Sequence, residues 1–200
     1  RYLTNASSGR MGRALAIAAL EAGHDVVVVS GPIDIEYPAA ADVLYVETTE
    51  EMLKRCEVEF QLCDGVIGAA APCDYRPVRI EPQKIAKTGD PLVLHLIETP
   101  DVVATLGASK APDQWVIGFA LETEDPRFRA LAKMQRKNCD LMVVNGPDAI
   151  NSAENSVEVM LPDGQVIAQF SGGKQAVAHG ILDVVQQRLI VPFSKGLGPR

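Results

Sequence analysis

Short aliphatic runs recur along this chain, separated by stretches in which apolar residues return every three or four positions. Asp25-Val26-Val27-Val28-Val29-Ser30, Leu44-Tyr45-Val46, Asp64 to Ala70, Trp115-Val116-Ile117-Gly118-Phe119 and Leu141-Met142-Val143-Val144-Asn145 read as buried strands. Leu92-Val93-Leu94-His95-Leu96 is also strand-like, whereas Pro77 to Asp90 reads as an excursion outside the core. Between the strands lie helical stretches from Met11 to Ala22, from Thr48 to about Phe60, from Thr99 to about Ser109, from about Pro126 to Lys137, and from about Lys174 to Leu189. Their ends carry the expected signals. Ser7-Ser8 offers a cap and Gly23 a stop for the first, Thr48-x-x-Glu51 is a capping-box match, and Pro100 sits at the expected first helical position with Asp101 beside it. Val157 to Met160 and Gln165 to Ala168 flank Pro162-Asp163-Gly164, a hairpin signal.

Strands alternating with helices predict an α/β protein. The expected form is a Rossmann-like, doubly wound, mostly parallel sheet with a late antiparallel hairpin. One domain over residues 1–190 is expected, with its first strand absent ahead of Arg1 and residues 191–200 forming a disordered or appended tail.

Composition narrows the classes. The formal charge is −7, which disfavours a nucleic-acid backbone as partner, and no apolar run reaches the ~20 residues of a membrane span. The four cysteines at 56, 63, 73 and 139 form no C-x-x-C pair, and there are three histidines. A metal site or disulfide framework is therefore not expected, and a reducing cytoplasm is the expected setting.

Three groups of residues can carry chemistry. Asn5-Ala6-Ser7-Ser8-Gly9-Arg10-Met11-Gly12 places hydroxyls and a glycine at a helix start, where free amides and the helix dipole favour an anion. The plain alternative is a serine cap. Gly68-Ala69-Ala70-Ala71-Pro72-Cys73-Asp74 closes a strand with small residues, suited to a planar ligand near the backbone, with Asp74 as an acceptor; close helix packing is its plain alternative. Lys84 and Lys87 in the excursion, and Lys133 and Lys137 one turn apart, are candidate phosphate partners in an otherwise acidic chain, or simply solvated surface. Phe119 can stack on a base or fill the core.

Gly9-x-x-Gly12 lacks the earlier glycine of a dinucleotide fingerprint, no Gly-Lys-Ser/Thr follows, and neither Tyr-x-x-x-Lys nor Gly-x-Ser-x-Gly occurs. An NAD(P)-binding Rossmann-type reductase is thus the runner-up, with a non-catalytic nucleotide-binding module behind it.

The order of the motifs adds more. Arg1-Tyr2-Leu3-Thr4-Asn5-Ala6-Ser7-Ser8-Gly9-Arg10-Met11-Gly12, Ala70-Ala71-Pro72-Cys73-Asp74-Tyr75, Lys84-Ile85-Ala86-Lys87, Thr99-Pro100-Asp101-Val102-Val103, Gly118-Phe119-Ala120-Leu121-Glu122-Thr123 and Lys137-Asn138-Cys139-Asp140 to Asn145 resemble, in sequence order, the motifs of bacterial phosphopantothenate–cysteine ligases. The resemblance covers residues 1 to about 185. It implies a ligase of coenzyme A biosynthesis that uses CTP with Mg to join phosphopantothenate to cysteine through an acyl-cytidylate. It further implies a cytoplasmic homodimer, with the Pro77–Leu96 excursion contributing, and a flavin-dependent (FMN) decarboxylase fused upstream in many bacteria.

The resemblance also implies roles. Asn5 and Lys84 are the catalytic pair. Arg1, Asn5, Ser7, Ser8, Gly9 and Met11 surround the substrate's phosphate and acyl group. Gly68, Ala69, Ala70, Asp74, Lys84, Pro100, Asp101, Val102, Val103, Phe119, Lys133 and Lys137 hold the nucleotide. Ala86 departs from the family pattern, which has a second lysine there.

Overall fold

A computed structural model gives the structure of residues 4–5, 7–87, 89, 91–121, 125–145 and 155–191. In chain order the elements are α1 (Arg10–Glu21), β1 (Val27–Ser30), β2 (Asp42–Tyr45), α2 (Thr49–Phe60), β3 (Gly65–Gly68), β4 (Tyr75–Pro77), β5 (Leu96–Glu98), α3 (Val102–Ser109), β6 (Trp115–Leu121), α4 (Pro126–Arg136), β7 (Leu141–Asn145), β8 (Asn155–Met160), β9 (Val166–Gly172) and α5 (Lys174–Val185), which continues into a π-helical turn at Gln186–Ile190.

The α/β class and the late hairpin are as expected. Five strands form the main sheet in the order β3-β6-β7-β8-β9, parallel from β3 to β7 and antiparallel across β7, β8 and β9. Two-fold alternation along its strands sorts the side chains onto two faces. Trp115, Ile117, Leu141, Val143, Val157 and Val159 pack against α1 and α5, through Leu15, Ala18, Val177 and Ile181. Val116, Ala120, Met142 and Val144 turn the other way, onto Met52 and Phe60 of α2, Leu106 of α3 and Met134 of α4. Both faces are covered, which is why these strands read as unbroken aliphatic runs. Each such buried side chain contributes about 1.5–3 kcal/mol.

The single sheet expected from the sequence is divided among the described residues. β1 and β2 pair only with each other, in parallel, and β4 and β5 form a separate antiparallel ribbon. The Asp42 N–H bonds the Val26 carbonyl and the Val46 N–H bonds that of Ser30. By the alternation of a parallel ladder, Val27 and Val29 therefore turn their backbone groups away from β2. Gly65 and Ile67 do the same on β3, because Trp115 bonds the Asp64 carbonyl on the β6 side. β1 and β3 line one apolar cavity of about 2620 Å³, walled also by Leu15, Met52 and Phe60. Ligand pockets run to roughly 300–1,000 Å³, so most of this volume is separation between two sheets.

Several boundaries move for identifiable reasons. Pro100 lies outside α3, whose N-cap is Asp101. The carboxylate accepts from the Ala104 N–H at 3.1 Å, so the cap, not the proline, sets the first turn. The strand expected at Leu92–Leu96 falls instead at Leu96–Glu98, because Leu96, Ile97 and Glu98 face Pro77, Arg76 and Tyr75. Residues 92–94 are exposed and apolar, a composition that imitates a buried strand. The expected serine cap of α1 is replaced by Gly9, described below. The capping box at Thr48 and Glu51 is present as expected. Residues 192–200, most of the expected tail, lie outside the described residues.

Candidate functional site

The carboxyl ends of parallel strands, where open α/β sheets place their ligands, bring the first two groups of candidates together. Asn5 is the joint. Its side-chain amide donates to the Ala71 carbonyl at 3.2 Å and to the Pro72 carbonyl at 3.1 Å. Both amide hydrogens are then engaged, and the amide oxygen remains as an acceptor. The loop before α1 is thereby fastened to the turn after β3.

Gly9 is the N-cap of α1 with φ of 67°, and neither Ser7 nor Ser8 caps the helix with its hydroxyl. A Cβ on Gly9 would fall 2.5 Å from Ile33 Cδ1, so the left-handed turn and the close approach both require glycine. No acidic residue occupies the first turn of α1, and its dipole end is open to an anion. Ser7 and Ser8 are exposed beside it. Met11 lies on α1 and packs partly buried against the core. Arg1 and Ala6 lie outside the described residues.

At the end of β3, Gly68 lacks a side chain for a packing reason. A Cβ there would meet Val103 Cγ2 at 2.5 Å. The first turn of α3 sits directly over the strand end, which places Val102 and Val103 beside Gly68, Ala69 and Ala70. All five line the cavity, as do Asn5, Ser7, Gly9, Lys84 and Lys87.

Asp101 serves a structural purpose that sequence spacing does not reveal. Besides capping α3, it accepts from Lys137 Nζ at 3.0 Å and lies 3.7 Å from Arg136. Burial pushes its pKa up, but the Ala104 N–H, Lys137 and Arg136 outweigh this and hold it below the ordinary carboxylate value. Lys137 is thus engaged with Asp101. The rest of its motif is also bound into the fold. Asn138 takes a left-handed φ of 51° and donates to the Gly107 carbonyl at 2.7 Å. Asp140 receives Lys110 and the Val116 N–H, each at 2.7 Å.

Because the folded pKa of Asp101 is depressed, its contribution is present above the unfolded value near 3.9 and is lost as pH falls through the folded one. Asp101→Ala is expected to cost about 1–2 kcal/mol at pH 7, mostly the cap. The ion pair adds little because the Asp101 side chain is 37% exposed. Denaturant melts at pH 7 and pH 3 check this: the deficit should shrink at low pH, and an equal deficit at both would contradict it.

Asp74, Pro100, Asp101, Phe119, Lys133 and Lys137 do not line the cavity. Asp74 is exposed on the turn just outside it, while Phe119 is half-buried against the α1–α5 side of the core. Lys84 and Lys87 are exposed on the excursion. None of the cysteines is in a disulfide, and burial pushes the thiols of Cys56 (with Glu59 adding) and Cys139 up to about 11, away from nucleophile chemistry. Sequence reading missed Thr49 and Thr99, whose hydroxyls both reach the Cys73 carbonyl. A threonine before a proline carries no signal of that contact.

The model of the DNA/pantothenate metabolism flavoprotein C-terminal domain matches residues 1–189. The chain belongs to this family. A bifunctional coenzyme A biosynthesis protein, CoaBC, of Vibrio parahaemolyticus is 33% identical over 193 residues, covering 94% of this chain and 48% of that protein. The chain therefore spans about half the length of the curated relatives it matches. Among solved structures, the C-terminal domain of a CoaBC protein superposes with a TM-score of 0.81 at 34% identity, over 96% of this chain and 88% of that one. A variant of Cab2, solved in complex with phosphopantothenate-cysteine, shares the family's fold at TM-score 0.74 and 16% identity, over 98% of this chain and 82% of that one. The Rossmann-like architecture expected from the motifs is the fold of these neighbours.

Proposed function

We propose that this chain is the ligase domain, residues 1–190, of a coenzyme A biosynthesis enzyme, and that it joins phosphopantothenate to cysteine at the expense of CTP. The observation that carries the reading is the joint at Asn5. It holds an anion-ready helix start and a small-residue strand end side by side, as a phosphorylated acid and a nucleotide require. The family match and the phosphopantothenate-cysteine bound by the Cab2 variant support the choice of substrates.

In this reading the phosphate of the substrate lies at the α1 start, against Ser7, Ser8 and the amides after Gly9, with Met11 nearby. Its carboxylate attacks the α-phosphorus of CTP, forming an acyl–phosphate bond and releasing pyrophosphate. The amine of cysteine then attacks the acyl carbon, loses its proton and displaces CMP. This chemistry needs positioning and charge neutralisation more than a covalent nucleophile. Asn5 places the reacting carboxylate by holding the α1 start against the turn after β3, and Lys84 neutralises the triphosphate. Gly68, Ala69 and Ala70 lie under the nucleotide, Asp74 and Phe119 recognise the base, and the amides of the α3 start meet phosphate. Lys133 reaches the phosphates from α4, and Lys137, just past its end, does so in exchange for its Asp101 partner. Among the described residues no group of three or more His, Cys, Asp or Glu side chains is arranged for a metal. The Mg of this reading travels with the triphosphate, held partly by its oxygens.

The working enzyme in this reading is a cytoplasmic homodimer, with FMN confined to a decarboxylase domain fused upstream. The β4–β5 ribbon and the excursion it brackets expose Val78, Ile80, Leu92, Val93, Leu94 and Ile97. A two-stranded ribbon is marginal alone, and a second copy covers such a surface symmetrically. Replacing Val93 and Leu94 together by Asp is expected to halve the particle mass in analytical ultracentrifugation; an unchanged mass would place the interface elsewhere.

Mass spectrometry of the reaction mixture tests the function. Phosphopantothenoylcysteine should appear with CTP, phosphopantothenate, cysteine and Mg together. Its absence, with tight NADPH binding in calorimetry, would return the protein to the reductase class.

A further inference from the structure

The turn that carries Asp74 is pinned from three elements at once. Ala71 and Pro72 give their carbonyls to Asn5. The Cys73 carbonyl accepts the Thr99 hydroxyl at 2.6 Å and the Thr49 hydroxyl, from the first residue of α2, at 3.4 Å. The Asp74 carbonyl accepts the Thr99 N–H at 2.9 Å. Four successive carbonyls are thus held, while the Asp74 carboxylate stands exposed. Thr99 is the node. It extends the β4–β5 ladder by one backbone bond, crosses to Cys73 with its hydroxyl, and stands two residues before the Asp101 cap of α3.

We infer that Thr99 is a positioning residue for nucleotide recognition. It fixes the Asp74 turn relative to the start of α3, and so sets the spacing between the base end and the phosphate end of the nucleotide site. The inference rests on the ligase reading and adds to it a residue that touches none of the three substrates. Two facts favour this over simple loop stabilisation. The hydroxyl bond is short and partly buried, so its loss leaves the Cys73 carbonyl with the longer Thr49 contact only. The same residue also joins the two segments whose relative placement the nucleotide would read.

Thr99→Val keeps the shape and removes the hydroxyl; Thr99→Ser keeps the hydroxyl. Kinetics of pyrophosphate release should show the KM for CTP raised about 3- to 10-fold in Thr99→Val, the scale of one lost hydrogen bond, with kcat within about twofold. Thr99→Ser should restore it. In an Asp74→Ala background the Thr99→Val change should add little, because the two act through one element. A fall in melting temperature with KM unchanged, or full additivity with Asp74→Ala, would overturn the inference while leaving the ligase reading intact. No nucleotide-dependent turnover by the unaltered protein would overturn the ligase reading, and this inference with it.

Discussion

Asn5→Ala is expected to lower kcat by about 100-fold or more, with a much smaller change in melting temperature. The residue is exposed, so its removal opens no cavity in either half of the core. What is lost is organisation. Two hydrogen bonds to Ala71 and Pro72 disappear, and with them the fastening of the α1 start to the β3 end. In the proposed mechanism that fastening is what sets the reacting carboxylate against the nucleotide. Removing one preorganised polar group from a site of this kind costs about 10²–10³ in rate, and misplacement of bound groups adds to it. Asn5→Asp separates the two contributions. It keeps the size but replaces two donors by acceptors facing carbonyls, so it should be at least as damaging. Steady-state kinetics with phosphopantothenate and CTP varied in turn reads the effect; a variant within fivefold of the unaltered protein would remove Asn5 from the reacting centre.

Lys84→Gln is the second large effect, expected at about 100-fold in kcat with no loss of stability. Lys84 is exposed on the excursion and, like Lys87, lines the cavity. A surface ammonium contributes little to folding. At a developing pyrophosphate charge, shielded from water by bound substrate, the same group is worth several kcal/mol. Lys87→Gln provides the contrast. Ala86 stands where the family pattern carries a further lysine, so the loop's charge here rests on Lys84 and Lys87, and Lys87 should matter less. Equal loss in both variants, or loss in neither, would deny Lys84 a special place.

The core strands and the capped helices were legible because their signals are local. Val116, Ile117, Val143 and Val144 are buried on both faces of a parallel sheet, and such residues read as unbroken aliphatic runs. Thr48 and Glu51 reach only one another, so four residues of sequence contain the whole capping box. Long-range partners were not legible. Asp101 looked like a first-turn acid, yet it is a cap tied to Lys137, which reaches it from the end of a different helix. Gly68 suited a ligand's approach, yet Val103 fills the space. The exposed apolar residues from Leu92 to Leu94 imitated a core strand because a sequence does not say whether water or protein covers them.

The candidate site divides in the same way. Asn5, Ser7, Gly9, Gly68 and Lys84 were legible as motif members; all line the cavity, and the Asn5 hydrogen bonds join the first group to the turn after β3. Phe119 and Asp74 were named with them but lie outside that lining. Thr99 was legible only as a motif member and Thr49 not at all, since the contact each makes depends on a carbonyl that folding brings to it.

The most direct test of the ligase account is pyrophosphate release by the purified protein across CTP, ATP, GTP and UTP, with and without phosphopantothenate and cysteine. The account predicts release with CTP and Mg that requires phosphopantothenate, does not require cysteine for a first turnover, and is sustained only when cysteine is added. Release that ignores phosphopantothenate, or none with any nucleotide, would contradict it.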